Sequence, residues 1–253
     1  MNELALLLPP LAAGLLALAS HVPLGRQVLR RGIVFIDLAI AQVAGLGVLA
    51  GQHLLHDAPG ALLPVAAAAA ALLGAALVAW LGRAWPERQE ALIGLLYVGA
   101  ASLAVLLVSA DPHGAQKLHG LLSGDVLWAS WPRLLPLALA TAVFLLALAW
   151  RPALLASGWA FYGSFALLVS LSLPLLGLYL VFTTLIVPAL VAQRWPRTPA
   201  RAAFAVGLAG YVLGLLLSWH GDWPSGPAVV LALIGCGAAA IVAGGRATPT
   251  SGR

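Results

Sequence analysis

The sequence predicts an all-α fold: a polytopic membrane bundle of about nine transmembrane helices, N-terminus outside and C-terminus inside. Three observations lead there. The chain of 253 residues is 62% hydrophobic and 8% charged, with a mean hydropathy of +1.01. A soluble domain carries about 25% charged residues, so this composition cannot cover a water-exposed surface. Apolar runs of about 20 residues recur along the whole chain, and the basic residues between them fall on alternate sides.

The runs predict spans at about 4–22, 33–54, 61–82, 91–110, 133–150, 160–177, 178–194, 202–219 and 227–245. The sixth and seventh are continuous in hydropathy and divide at Pro174 and Gly177, residues that interrupt a helix. Pro64, Pro136 and Pro188 fall inside spans and predict kinks. Residues 1–245 read as a single transmembrane domain, and 246–253 as a short disordered cytoplasmic tail. No lysine or arginine precedes Arg26, so a cleavable signal peptide is not expected.

Cytoplasmic loops concentrate Lys and Arg. With the N-terminus outside, the inner side receives eleven basic residues: Arg26, Arg30, Arg31, Arg83, Arg88, Arg151, Arg194, Arg197, Arg201, Arg246 and Arg253. The outer side receives two, Lys117 and Arg133. The reverse orientation would invert that ratio, and an even number of spans would break it. The same dispersal speaks against nucleic acid, which would need one basic patch. The lone cysteine, Cys236, lies in an apolar run and reads as a small packing residue. Tryptophans at span ends (Trp80, Trp85, Trp128, Trp131, Trp195, Trp219 and Trp223) predict interfacial belts.

This orientation collects His53, His56, Asp57, Asp111, His113, His119, Asp125, His220 and Asp222 on the outer side and leaves His21 inward. Imidazole and carboxylate are ligands for Zn(II), Mn(II) and similar ions. Those residues therefore form either a metal-attracting vestibule or ordinary solvated loops; none has a tight ligand spacing. Inside the second span stands Asp37, preceded by Arg30-Arg31. An ionised carboxylate in a membrane costs about 2.5–3.5 kcal/mol or more, so it faces a partner or a polar path. Asp37 is about 9 Å of helical rise from Arg31, within reach of a salt bridge, so a structural pair and a pathway role both stand. The small-residue run Ala66–Ala71 with Gly74, and the set Gly45, Gly47 and Gly51, offer close-packing faces for another helix or a dimer axis.

Five stretches, in order, resemble the integral-membrane permeases of metal-ion ABC transporters, the zinc/manganese/iron uptake family. They are Arg30-Arg31 leading to Asp37, Glu90-Ala91-Leu92-Ile93-Gly94, Leu122-Ser123-Gly124-Asp125-Val126-Leu127, Gly177-Leu178-Tyr179-Leu180-Val181 with Leu185-Ile186-Val187-Pro188-Ala189, and Asp222-Trp223-Pro224-Ser225-Gly226-Pro227. The resemblance implies a homodimeric permease in the inner membrane, fed by an extracytoplasmic metal-binding protein and driven by cytoplasmic ATPase subunits. It implies that the ATPase grips the loop Trp150–Gly158, with Ala153, Ala156 and Gly158 as coupling residues. It implies no tightly bound cofactor, the divalent metal being the cargo. The chain carries no G-x-x-x-x-G-K-[ST] loop, so ATP hydrolysis is expected in a separate subunit.

One departure bears on the cargo. Many family members carry a histidine four residues after the second-span acid; here that position is Ala41, and Gln42 follows. Asp37 and Gln42 are about 140° apart on a regular helix. Gln42 is a neutral oxygen donor, poorer for zinc than imidazole. The pathway candidates are therefore Asp37, Gln42, Thr183 and Thr184, with a helix–helix hydrogen bond as the alternative for Gln42 and own-backbone hydrogen bonds for Thr183 and Thr184. Zinc is the first expectation, manganese or iron the next; the identity of any metal ligands is left open. A second reading keeps the architecture but carries a chelate or small organic cofactor. A third, an intramembrane enzyme, lacks a serine–base pair or a second intramembrane acid.

Overall fold

In the computed structural model the described residues are 6–54, 62–109, 111, 113–124 and 126–244, the side chains of 53 and 54 excepted. They form nine α-helices: α1 (Leu8–Arg31), α2 (Ile36–Leu54), α3 (Leu62–Ala84), α4 (Gln89–Val108), α5 (Gly114–Ser123), α6 (Trp131–Trp150), α7 (Gly158–Arg194), α8 (Pro199–Gly221) and α9 (Ser225–Ala243). Short 3-10 turns at Pro86–Arg88, Val126–Trp128 and Pro152–Ala156 connect them.

Seven described helices are long and apolar enough to cross a membrane, and in α2 the apolar stretch Ile36–Gln52 is slightly shorter. The 37-residue α7 would be about 55 Å long if straight, far beyond the roughly 30 Å hydrocarbon core. It is not straight: Gly177 has φ 74° and ψ 162°, and two helical limbs join there. The first limb starts at the arginine-rich inner end, where Phe161 lies under Arg31. Gly177 lies against Gly124 at the outer end, and the second limb returns so that Trp195 donates to the Ala240 carbonyl near the inner end of α9. α7 is thus a helical hairpin of two spans. With α2 this gives nine described spans, dividing at the residue the sequence marks.

Two boundaries differ from the sequence reading. The first helix does not stop near residue 22 but continues through Pro23 to Arg31. Arg30 and Arg31 occupy its last turn, where cations complement the exposed carbonyls, and Gly32 ends it at φ 68° by bonding back to Val28. The loop after α4 holds a helix of its own, α5, too short to span.

The hairpin α7 is the core of the bundle. Most of its side chains are buried, including Phe161, Phe165, Leu168, Leu176, Leu178 and Leu185, with α1, α2, α3, α8 and α9 packed around it. α3, α4 and α6 turn large apolar side chains outward, among them Leu73, Leu95, Leu106, Leu139 and Val143, as a lipid-facing surface requires. Small residues set the closest approaches: a Cβ on Gly47 would meet Ala66 and Ala70 of α3, one on Gly51 would meet Ala66, and one on Gly45 would meet Leu121 of α5. The glycines of α2 are therefore spent within the chain rather than on a dimer axis. Exposed Trp80, Trp85, Trp150, Trp159 and Trp195 ring the inner end and Trp128, Trp131 and Trp223 the outer end, as two interfacial belts.

Candidate functional site

Asp37 sits in the first turn of α2, where a carboxylate meets the positive end of the helix dipole. It is 1% exposed, and neither carboxylate oxygen has a hydrogen-bond partner. Among the described residues no ion pair involves it. The salt bridge to Arg30 or Arg31 open from the sequence is not formed. Instead Arg31 turns to the Pro152–Ala156 turn and donates to the Leu155 and Ala156 carbonyls at 3.0 and 3.2 Å. Gln42, five residues beyond Asp37, is 2% exposed. Asp37 and Gln42 are thus both buried, although they leave the helix in different directions.

At the outer end of α2, Val48, Leu49 and Gln52 line a cavity of about 240 Å³ with Lys117, Gly120, Leu121, Leu173 and Pro174. One helix therefore leads from an outer cavity, past Gln42, to a buried carboxylate near the inner end. The two threonines behave differently. Thr183 donates to the Tyr179 carbonyl one turn back, the own-backbone arrangement. Thr184 is fully buried and shares a 2.7 Å hydrogen bond with the phenol of Tyr211 on α8. Each hydroxyl thus has one protein partner, and each oxygen keeps an acceptor lone pair.

The outer His and Asp residues are spread out. Asp111 accepts from the Lys117 ammonium and the His113 backbone N–H. The hydrogen bond from Lys117, foremost, holds its carboxyl below the usual carboxylate range. His113 and His119 are exposed around α5, and His220 and exposed Asp222 end α8, with His220 Nδ1 2.9 Å from the Leu216 carbonyl. The side chain of His53, and His56, Asp57 and Asp125, lie outside the described residues. Among the described residues no three His, Cys, Asp or Glu converge as a metal site.

At the inner end, Ala153 and Ala156 are exposed, and a Cβ on Gly158 would meet nothing within 4 Å. Leu155 is buried and pins the turn, while Trp150 and Trp159 stand out beside it. This is an open, small-residue surface that a partner can approach closely.

Sequence reasoning missed several polar residues of the interior. Tyr211 gives no local signal, because its partner is 27 residues away. His21, read as an inward-side residue, is fully buried within α1; its Nδ1 lies 2.9 Å from Ser20 Oγ and its Nε2 has no partner. Gln27, Arg31, Gln89 and Glu90 gather at the inner end through contacts more than fifty residues apart in sequence.

Three of the motif stretches meet at the outer end. The Ser123-Gly124 backbone lies between Gly177 and Gly226, and the Leu127 N–H donates to Ser225 Oγ at 3.3 Å. The ABC 3 transport family model matches residues 5–158 and 153–243, nearly the whole chain. The chain belongs to the ABC 3 transport family. This is the metal-ion ABC permease family whose motifs the sequence resembles. Among solved structures, the chain is similar to one described as PsaBC from Streptococcus pneumoniae in complex with Fab. The match has a TM-score of 0.72 at 19% identity and covers 93% of this chain and 89% of that one. At that identity the likeness establishes the shared fold. This ABC 3 permease is accordingly a multi-pass membrane protein.

Proposed function

We propose that this ABC 3 permease is the membrane-spanning subunit of an ATP-driven metal-ion uptake transporter of the inner membrane, with zinc as first candidate cargo and manganese or iron next. The observation that carries the reading is Asp37. A buried carboxylate without a hydrogen-bond donor or counter-ion is costly, and a passing divalent cation would supply the missing charge. Gln42 and the outer cavity lie along the same helix and complete the route in outline. Inward direction follows from the outer His and Asp bias and from family membership.

In this reading residues 1–245 form one permease domain, and two copies pair around the path. An extracytoplasmic metal-binding protein delivers the ion at the outer end. Cytoplasmic ATPase subunits hydrolyse ATP and grip the turn at Ala153, Ala156 and Gly158. The metal is cargo, with no resident cofactor in the scheme.

A second reading, the same architecture carrying a chelate or small organic cofactor, is favoured by Ala41 standing where many family members place imidazole. The deciding experiment is total cellular zinc, manganese and iron in a strain lacking the chain, grown at limiting metal, with complementation. The expected result is a selective, complemented fall in one metal. Unchanged content of all three overturns the metal reading and leaves the second.

A further inference from the structure

The Pro152–Ala156 turn is tied to the bundle by a small set of polar contacts. Arg31 Nη2 bridges the Leu155 and Ala156 carbonyls, and Gln27 Nε2 donates to the same Leu155 carbonyl at 3.1 Å. The guanidinium carbon stacks 4.5 Å from the Phe161 ring centroid and 5.8 Å from that of Tyr162, at the start of α7. Tyr162 accepts a 2.9 Å hydrogen bond from Gln89 at the start of α4. Beside it, Glu90 Oε1 accepts the backbone N–H of Phe35 at 3.3 Å, two residues before Asp37.

We propose that Arg31 is a positioning residue that transmits movement of the Pro152–Ala156 turn to the α1–α2 junction and hence to Asp37. The inference rests on the coupling role assigned to that turn above. Arg31 is the last residue of α1, so its backbone leads directly through Gly32 into the segment that Glu90 caps. A planar guanidinium can bridge two carbonyls and stack on an aromatic face at once, which an ammonium cannot. Arg31 Nε and Glu90 Oε2 are likewise buried in this cluster, so its polar groups are packed at the junction rather than spread over the surface.

The test uses the assembled transporter, permease with its ATPase and binding protein, in proteoliposomes. It reads the fold-stimulation of ATP turnover by external binding protein, together with co-purification of the ATPase. Arg31→Ala is expected to reduce stimulation at least fivefold with the ATPase still bound, and Arg31→Lys, which keeps the charge but neither bridges both carbonyls nor stacks, to recover less than half. A reduction smaller than fivefold for Arg31→Ala in the assembled complex overturns the proposal. If Arg31→Ala fails to assemble, Gln27→Leu decides: reduced stimulation in an intact complex supports the relay, and unchanged stimulation overturns it. Ala156→Glu separates the two levels. If it leaves stimulation normal, the coupling role of the turn and the relay fall together; if it abolishes stimulation while Arg31→Ala does not, the relay alone falls.

Discussion

Gly177→Ala tests the hairpin at its narrowest point. At φ 74° and ψ 162° the backbone is in a region open essentially to glycine, so a side chain there costs about 1–3 kcal/mol in strain. The added methyl would also run into the backbone of Ser123 and Gly124, with Gly124 Cα 2.6 Å from the new Cβ. Those are main-chain atoms with no rotamer to escape into, and overpacking of this kind costs about 1–3 kcal/mol more. The expected loss is about 2–6 kcal/mol. Gly158→Ala is the control: its φ is unexceptional and nothing lies within 4 Å, so a change within about 0.5 kcal/mol is expected. The assay is equilibrium unfolding by SDS titrated into mixed micelles, followed by tryptophan fluorescence. Gly124→Ala should be costly through the same contact, and the double variant should cost less than the two singles together, because both remove one close approach. A Gly177→Ala protein as stable as the parent would refute the hairpin geometry.

Two further outcomes follow from the site. Asp37→Asn should insert normally and unfold at an SDS concentration no lower than the parent, since a buried amide is cheaper than a buried carboxylate. Its uptake of the transported metal should nevertheless fall at least tenfold, and normal uptake would return Asp37 to a structural role. Ala156→Glu and Gly158→Leu alter an exposed and an open position, so the permease should fold. ATP turnover of the assembled complex should drop about tenfold, roughly 1.4 kcal/mol of coupling, and unchanged turnover would remove these residues from the ATPase contact.

Much of the bundle was legible because a bilayer allows little else. Helices are the available spanning structure for such a chain, span length is fixed by thickness, and arginine marks the inner side. Even the division of α7 could be read, because Gly177 sits where one continuous apolar run is twice too long. The reach of α1 was not: Arg26, Arg30 and Arg31 looked like loop, yet their long apolar stems let the helix carry them to its end. α5 was hidden because ten residues give too short a period to set against a neighbouring span. In the site, burial of Asp37 could be inferred from its place in an apolar run, but the target of Arg31 could not. Composition put a carboxylate six residues away as the natural partner; the fold supplied two carbonyls 124 and 125 residues away instead. Thr184 and Tyr211 escaped for the same reason, a pairing visible only after two helices have packed.

The bare backbones of Gly124 and Gly177 meet with no compressible side chain between them, so any tilt of the limb would turn about this outer seam. Below it, the first limb of α7 is a lever about 28 Å long. A tilt of about 5° at the seam would displace its inner end by about 2.5 Å, close to the length of one hydrogen bond. That inner end is where Arg31, Phe161 and Tyr162 meet, held by side chains that can re-pair rather than by interlocked main chain. The limb is thus tied by main chain at the seam and by side chains at its inner end, so a tilt at the mouth would fall on the Arg31 contacts first.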